Sequence, residues 1–281
     1  MKIENIHNLV KNQFPEWRDL EIKPILPLGT DNLMYRLGND KIIRIPITKE
    51  SILDIEKEIN CLPKFSNLPI TTPQIIAIGQ EAKEQNSRWI ICNWIKGDNF
   101  NKNNIQDQKQ AAIDLANFIN ELQKIDITNA PESRRGKPLQ NFDKKVRESI
   151  KSLDDCYDIK LLNNIWEKAL DAEIWTKSPV WIHSDLHEGN VITHNGKISA
   201  IIDFGLAGIG DPACDIVPAW TLLQKEAQTT FRNHINADEE TWKRGHGWAL
   251  SFGVIAYSYY RKTKHPIAEI SRKVIDEVIR K

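Results

Sequence analysis

The sequence predicts an α+β protein in two parts: a small N-terminal part built on an antiparallel sheet and a larger, mainly helical C-terminal part. Two observations predict this division. Short β-rich runs separated by turn residues fill residues 21–46 and 74–95, whereas apolar residues recur at helical spacing through most of the chain after residue 100. The change falls near residue 96, so we expect an N-terminal domain over residues 1–95 and a C-terminal domain over residues 96–281.

The elements of the first part follow from its apolar spacing. Residues 3–14 place Ile, Leu, Val and Phe at helical intervals and predict an opening helix. The runs EIKPILPL, LMYRL and KIIRIP, separated by GTDN and GND, predict an antiparallel meander with tight turns. A helix over residues 51–62 would be capped by Ser51 and ended by Pro63. Two further strand-like runs, QIIAIGQ and RWIICNWI, complete this part.

The second part is predicted to be helical with one interruption. Between Trp181 and Gly205, the runs VITH and KISAIID flank Asn195-Gly196, the strongest short signal for a β-hairpin. From Asp211 to the end the pattern is helical again. The polar stretch KGDNFNKNNIQDQK, near the start of this part, is expected to be a surface loop.

Composition and apolar patterning indicate which partners the protein has and in which compartment it lies. Lys plus Arg and Asp plus Glu both number 38, so no net field would attract a polyanion and we expect no nucleic-acid partner. The four cysteines form no C-x-x-C pair and are expected to be reduced and buried, as in a cytoplasmic protein. The N-terminus lacks the apolar core of a signal peptide, and the most apolar late stretch, WALSFGVIAYSYY, is too short to span a bilayer. We therefore expect no membrane partner.

Two motifs in the hairpin region point to chemistry. His183, Asp185 and Asn190 form H-x-D-x-x-x-x-N, and Asp203 begins the triplet D-F-G. The hairpin between the motifs is expected to bring Asn190 and Asp203 to the same end of two adjacent strands. Phosphoryl transfer from a nucleotide needs hard oxygen ligands for Mg²⁺, a carboxylate near the acceptor hydroxyl and a fixed cation for the phosphates. The pattern is typical of a kinase catalytic loop and its metal-binding aspartate.

The longer stretches around these motifs resemble one family. IHSDLHEGN is similar to the H-G-D-L-H-x-G-N loop of the aminoglycoside phosphotransferase family, and IIDFGLAGIGDPACDI is similar to its I-D-[FW]-G-x-x-x-x-G-D-P-x-x-D segment. The resemblance covers most of the chain, more weakly at the N-terminus. It implies a bilobal, kinase-like fold and transfer of the γ-phosphate of ATP or GTP, with Mg²⁺, to a hydroxyl of an aminoglycoside, a macrolide or a related metabolite.

The resemblance also implies roles for single residues. Asp185 resembles the catalytic base that orients the acceptor hydroxyl, and Asn190 and Asp203 resemble the Mg²⁺ ligands. His183 and His187 are expected to support the loop by hydrogen bonding.

Three acidic residues are given supporting or acceptor roles. Asp215 resembles a buried aspartate that braces the catalytic loop. Glu188 and Asp211 are possible contacts to the acceptor. Asp211 followed by Pro212 is also typical of a helix N-cap, and that role alone would explain it.

The phosphate-binding residues are expected in the N-terminal part. Gly29, Thr30 and Asn32 would form the hairpin that covers the phosphates, although a single glycine there fits a plain β-turn equally well. Arg44 stands where kinases place a lysine, with Lys41 as the alternative cation.

Two further predictions concern the residue that fixes this cation and the backbone that binds the adenine base of the nucleotide. Glu58 is expected to fix the phosphate-binding cation, with Glu56 as its alternative. The backbone near Asn93 and Ile95, in a stretch resembling the hinge between kinase lobes, is expected to bind adenine.

Three functions remain open at this point. A small-molecule kinase fits best. A protein kinase fits poorly, because no A-P-E follows Gly205 before Trp220. A catalytically weak or inactive nucleotide-binding protein is the alternative from another class, supported by the arginine at the lysine position. The mixed to basic, aromatic C-terminal helices favour an acceptor less cationic than an aminoglycoside, such as a macrolide or a metabolite.

Overall fold

The computed structural model describes residues 3–25, 31–80 and 87–280. Its elements form an antiparallel sheet in the N-terminal part and mostly helices in the C-terminal part, which confirms the predicted α+β class. Within these ranges, no helix combines the length and apolar character needed to cross a membrane.

The chain divides into two compact units. The first consists of Met1–Gly97 together with Ala200–Gly205, and the second consists of Asp98–Ser199 together with Leu206–Lys281. The boundary expected near residue 96 lies beside the first of these limits. The sequence did not predict that Ala200–Gly205, which carries the D-F-G triplet, belongs to the first unit.

The first unit contains one sheet and two α-helices among its described residues. The helices are α1 (Ile3–Gln13) and α2 (Lys49–Cys61), and the strands are β1 (Ile22–Pro24), β2 (Asn32–Leu37), β3 (Lys41–Pro46), β4 (Ile75–Gly79) and β5 (Trp89–Asn93). The strand order is β1-β2-β3-β5-β4, and all neighbouring strands are antiparallel. The predicted meander of the first three strands is therefore confirmed.

Strand alternation decides which side chains of β3 reach α2. Ile43 and Ile45 are almost fully buried in a cluster with Ile6 and Val10 of α1. Successive side chains of a strand point to opposite faces. Arg44, between the two isoleucines, therefore points away from α1, to the face of the sheet on which Ile55 of α2 is buried.

The start of α2 differs from the prediction. The N-cap is Thr48, whose hydroxyl accepts the backbone N–H of Ser51 at 3.0 Å, while the Ser51 hydroxyl accepts the Thr48 N–H at 3.0 Å. The prediction that Ser51 caps the helix is wrong, because this reciprocal capping box places Ser51 at the third helical position. The helix ends at Cys61, before Pro63, and a short 3₁₀ helix, Leu62–Phe65, follows.

The second unit is mainly helical. Its helices are α3 (Gln108–Leu122), α4 (Asp143–Lys151), α5 (Ile159–Leu170), α6 (Pro218–Thr221), α7 (Lys225–His234), α8 (Glu239–Tyr260) and α9 (Pro266–Val278). Its strands are short: β6 (Asp98–Asn99), β7 (Val180–Ile182), β8 (Val191–His194), β9 (Lys197–Ile201, whose last two residues fall in the first unit) and β10 (Gly208–Gly210).

The hairpin between β8 and β9 is formed as predicted. Its turn residues, Asn195 and Gly196, have φ angles of 50° and 72°. Both lie in the left-handed region, which the favoured two-residue hairpin turn requires and which asparagine and glycine tolerate best. The Asn-Gly signal therefore identified the turn correctly.

Other parts of the second unit depart from the sequence expectations. The pairing of β10 with β7 and of β6 with β8 was not predicted, because strands of two or three residues are too short to show an alternating pattern. The expected surface loop over residues 96–109 contains β6 and buries Phe100 and Ile105. Cys156 is exposed, in the surface connection between α4 and α5, so the expectation of four buried cysteines is wrong for this one.

Candidate active site

The first unit pairs a strand arginine with a buried helix glutamate. Arg44 Nη1 lies 2.6 Å from Glu58 Oε2, and Glu58 is fully buried. Burial alone would lower the pKa of Arg44, but the carboxylates of Glu58 and Asp203 outweigh it and raise that pKa. The pair expected from the sequence is present. Its role in holding phosphate stays a prediction.

The same glutamate holds the D-F-G backbone. Glu58 Oε1 accepts the Phe204 N–H at 2.8 Å, and Arg44 Nη2 lies 3.6 Å from Asp203 Oδ1. Asp203 has a φ of 65°, an uncommon value for a residue with a side chain, and its side chain is 53% exposed. One carboxylate thus fixes both the cation and the segment that presents Asp203.

The two alternative residues have other partners. Lys41 Nζ lies 2.9 Å from an oxygen of Asp40, the residue before it. Glu56 forms an ion pair with Arg88. Both contacts lie away from Glu58, so Arg44 and Glu58 remain the candidate pair.

The other predicted nucleotide-binding residues are placed only in part. Gly29 and Thr30 lie outside the described residues. Asn32 is the first residue of β2, and its buried side-chain oxygen has no hydrogen-bond partner within the described ranges. Asn93 ends β5, where its backbone N–H donates to the Gln74 carbonyl at 3.1 Å. Ile95 follows in an irregular segment, and the adenine-binding role of both residues stays a prediction.

In the second unit, Asp185 is held from several directions. The Asn190 side-chain amide donates to the Asp185 carbonyl at 3.0 Å and to its Oδ2 at 3.1 Å, while Arg135 Nη1 lies 2.5 Å from Oδ1. Burial would raise the pKa of Asp185, but Arg135 and His187 outweigh it and hold that pKa well below its usual range. The carboxylate is therefore ionised and oriented.

Two histidines shape the loop around this carboxylate. The fully buried His183 accepts the Asp185 N–H at Nδ1, 3.2 Å away. His187 accepts the Gly189 N–H at Nδ1, so Nε2 is the protonated ring nitrogen, and it lies 3.6 Å from Asp185 Oδ2. The ring stacks on Phe252 of α8. These contacts fit the loop-supporting role expected for both histidines, which stays a prediction.

A buried aspartate braces the start of the loop. Asp215 is fully buried, and its two oxygens accept the backbone N–H groups of His183 and Ser184, each at 2.6 Å. Burial raises the pKa of Asp215 to about 7 against the effect of these two donors. Ser184, in the place where the family motif has glycine, has a φ of 65°, so the brace holds a backbone conformation that serine disfavours.

Replacing Asp215 with asparagine is expected to destabilise the protein by about 1–3 kcal/mol, because the amide offers one acceptor oxygen to two buried N–H donors. Urea unfolding of both proteins measures the loss. Asp154→Asn, an exposed aspartate of the same unit, is the control. An Asp215→Asn variant as stable as the control would show that the brace contributes little.

The two possible acceptor contacts have basic partners. The buried Asp211 accepts from Arg244 Nε at 2.6 Å and caps the short 3₁₀ helix Pro212–Asp215. Glu188 Oε2 lies 3.7 Å from Lys273 Nζ of α9. Asp211 also lines a cavity of about 240 Å³, which Asp185 does not line. The cap expected for Asp211 is present, and an acceptor role for either residue stays a prediction.

No sequence pattern predicted a role for Arg135. It lies in the segment ESRRGKP, which has neither a recognisable motif nor a periodic pattern, and it meets Asp185 across 50 positions of the chain. Only the folded chain brings the two residues together.

The predicted metal ligands lie in different units, Asn190 in the second and Asp203 in the first. Among the described residues, no group of three or more His, Cys, Asp or Glu side chains is placed to hold a metal ion. Each residue by itself nonetheless offers an oxygen that suits Mg²⁺. Asp203 offers a half-exposed carboxylate, and Asn190 uses its amide nitrogen toward Asp185, which leaves the amide oxygen as its acceptor atom. Hard oxygens of this kind are the ligands that Mg²⁺ prefers.

Comparison with known proteins identifies a matching family. The family model described as APH, Phosphotransferase enzyme family, matches residues 22–248. No curated protein sequence is similar enough to match the chain.

Several solved structures share the fold. The GDP complex of aminoglycoside 2'-phosphotransferase-IIIa has a TM-score of 0.76 at 19% identity, and the match covers 99% of both chains. Macrolide 2'-phosphotransferase type I has a TM-score of 0.66 at 16% identity, covering 96% of this chain and 95% of that one. A ternary complex of the phosphotransferase APH(4)-Ia with AMP-PNP and hygromycin B has a TM-score of 0.68 at 14% identity, covering 98% of both chains. At these identities the likeness shows the fold, and the predicted kinase-like fold and family resemblance are confirmed.

Proposed function

Because the chain belongs to the phosphotransferase enzyme family, we propose that it is a cytoplasmic enzyme that transfers the γ-phosphate of ATP or GTP to a hydroxyl of a small molecule. The observation that carries this proposal is the geometry of Asp185, an ionised carboxylate held in place by Asn190 and by the loop around it. The acceptor is an antibiotic of the aminoglycoside or macrolide type or a related metabolite. Solved neighbours of the same fold include phosphotransferases for both types of antibiotic.

Asp185 orients the acceptor hydroxyl and takes its proton. Its ionised carboxylate can accept a hydrogen bond from the hydroxyl, because each carboxylate oxygen has more than one acceptor site. Phosphoryl transfer passes through a loose transition state, so positioning the attacking oxygen matters more than the strength of the base. A carboxylate of low pKa on a braced loop is suited to that task.

Arg44 holds the phosphates of the nucleotide. Its guanidinium stays charged at any working pH, and its planar fork matches phosphate oxygens. Glu58 binds this cation with one carboxylate oxygen and the Phe204 N–H with the other. The cation and the D-F-G segment are therefore positioned together. This network supports a binding role for an arginine in the place of the kinase lysine.

Asn190 and Asp203 are the residues that would hold Mg²⁺. The ion supplies neutralisation of phosphate charge when bound. Asn190 is oriented by its bonds to Asp185, and Asp203 by the backbone contact between Phe204 and Glu58. Each predicted ligand is therefore oriented within its own unit.

A panel of hydroxylated acceptors tests the proposed function. The purified protein is incubated with Mg²⁺, with ATP or GTP, and with neutral, cationic or anionic acceptors, and nucleotide consumption and phosphorylated product are measured. We expect product with at least one acceptor class. Nucleotide binding without turnover for any acceptor would instead favour the inactive nucleotide-binding alternative.

Replacing Asp203 with asparagine is expected to weaken Mg²⁺-dependent nucleotide binding by about tenfold or more, because one carboxylate charge beside the metal is lost. Asparagine is chosen because it tolerates a positive φ, whereas alanine would add backbone strain. A Mg²⁺ titration with a fluorescent nucleotide measures the effect, with the exposed Asp19→Asn as control. An unchanged Mg²⁺ dependence would remove Asp203 from the metal site.

A further inference from the structure

Arg135 reaches the catalytic carboxylate from outside the catalytic loop. Its Nη1 donates to Asp185 Oδ1 at 2.5 Å and to the Ser184 carbonyl at 2.8 Å. The Arg135 side chain is 33% exposed and that of Asp185 is 17% exposed. The ion pair is therefore open to a ligand that approaches Asp185.

The segment that carries Arg135 is fixed along β10. The Ile209 N–H donates to the Pro131 carbonyl at 2.8 Å, and the Ile209 carbonyl accepts the Ser133 N–H at 3.1 Å. The Asp211 N–H donates to the Gly136 carbonyl at 2.8 Å. These bonds hold the segment on both sides of Arg135, so its backbone has a defined place beside the catalytic loop.

The side chains of this segment also match the loop. Ser133 Oγ donates to Ser184 Oγ at 3.2 Å and accepts the Arg135 N–H at 3.1 Å. Ser184 Oγ donates to the Leu206 carbonyl at 2.9 Å. The serine in the place of the motif glycine therefore bonds to the same segment that delivers Arg135, and the two features form one arrangement.

Ion pairs neutralise the negative charge that would otherwise attract a cationic acceptor to the catalytic loop. The catalytic loop carries two carboxylates, Asp185 and Glu188, and each has a basic partner, Arg135 and Lys273. A guanidinium cannot be deprotonated at working pH. An acceptor that brings its hydroxyl to Asp185 therefore brings its neighbouring substituent close to a permanent positive charge.

We propose that Arg135 is a specificity-determining residue of the acceptor site, which selects acceptors with an anionic oxygen group beside the reacting hydroxyl and disfavours those with an ammonium group there. The anionic group bonds to the guanidinium while the hydroxyl bonds to Asp185. An ammonium group instead meets a like charge at short range. This inference rests on the proposed function, which supplies the acceptor hydroxyl at Asp185, and among the acceptors named there it favours a metabolite over a cationic antibiotic.

Two hexoses that differ in charge test the proposal. Dissociation constants for glucuronate and protonated glucosamine are measured by NMR titration near pH 6.5, with glucose as the neutral reference. We expect wild type to bind glucuronate at least about tenfold more tightly than glucosamine. Equal affinities in wild type, including no detectable binding of either sugar, would overturn the proposal.

Variants assign the preference to Arg135. Arg135→Gln removes the charge but keeps a donor for the Ser184 carbonyl, and it should lower the glucuronate-to-glucosamine preference about tenfold. Arg135→Ala should do the same, and Arg135→Lys should keep the preference. Arg134→Ala, at the exposed neighbouring arginine, is the matched control. A folded Arg135→Gln variant with the wild-type preference would overturn the assignment.

Failure of the proposed function would look different. In that case wild type would consume no ATP or GTP with any acceptor, while the charge preference of the sugars could still depend on Arg135. Conversely, an enzyme that phosphorylates cationic acceptors in preference to anionic ones would keep the proposed function and overturn the role of Arg135.

Discussion

Replacing Asp185 with asparagine is expected to lower kcat for phosphate transfer by a factor of about a hundred or more, with little change in the KM for nucleotide. The amide cannot take the proton of the acceptor hydroxyl, yet it has nearly the size of the carboxylate. Its oxygen can still accept from Arg135, which now bonds to Oδ1. Asn190 loses its bond to Oδ2 but keeps the one to the backbone carbonyl of residue 185, so the loop should keep its shape. Steady-state kinetics at saturating nucleotide measures the change.

The control for this variant is Asp154→Asn, which changes the same chemical group on the surface of the same unit. Nucleotide binding, followed by fluorescence, should be equal in the two variants and in wild type. Turnover near the wild-type rate in Asp185→Asn would remove Asp185 from the role of base. Loss of nucleotide binding as well would show that the variant had disturbed more than one step.

The second large effect is expected at Glu58. Its replacement with alanine removes the buried carboxylate partner of Arg44, leaves only the half-exposed Asp203 carboxylate near the guanidinium, and removes the acceptor of the Phe204 N–H. Removing one member of a buried ion pair costs about 3–5 kcal/mol. Urea unfolding of the variant should show a loss of this size, and the KM for nucleotide should rise because Arg44 is no longer fixed.

Glu56→Ala is a matched control for this change. Glu56 lies on the same helix and also pairs with an arginine, Arg88, but both side chains are about one-third exposed. Exposed ion pairs contribute about 1 kcal/mol or less. If the two variants lost similar stability, the burial of the Arg44–Glu58 pair would have no energetic importance.

A double-mutant cycle tests whether Arg44 and Glu58 act as one unit. The effects of Arg44→Ala and Glu58→Ala on kcat/KM for nucleotide should be less than additive, since either change disables the same cation. Arg44→Lys should recover part of the loss, because lysine keeps the charge but not the fork. Full additivity would show that the two residues contribute separately. An Arg44→Ala variant with the kcat/KM of wild type would leave Arg44 without a role in nucleotide binding.

Sequence reasoning worked where a local pattern carries the information. The position of KIIRIP and of the following helix, judged by their likeness to kinases, predicted Arg44 and Glu58 as a pair. The structure shows why the pair can form: strand alternation places Arg44 on the face opposite the buried isoleucines, within reach of Glu58. The hairpin was predicted from Asn195 and Gly196, whose tolerance of positive φ is a property of the residues themselves.

Sequence reasoning failed where the deciding contact joins residues far apart in the chain, or where two nearby residues can play the same role. Thr48 and Ser51 can both cap a helix, and only the backbone path distinguishes them. Arg135 meets Asp185 because β10 holds its segment, and a strand of three residues has no readable period. The phosphate and metal roles remain predictions, because they concern ligands rather than contacts within the chain.

The membership of Ala200–Gly205 in the first unit has a consequence for biosynthesis. The Ile201 N–H donates to the Thr71 carbonyl at 3.0 Å, and the Phe204 N–H donates to Glu58. A ribosome must therefore make the second unit's Asp98–Ser199 before the first unit can receive its last segment. At about 5–20 residues per second, roughly 100 residues take about 5–20 seconds to synthesise. During this time the Glu58 carboxylate of the nascent chain lacks its backbone donor, the Phe204 N–H. Synonymous codon changes that slow translation within this interval should therefore prolong the exposure of an incomplete N-terminal unit to proteases and chaperones.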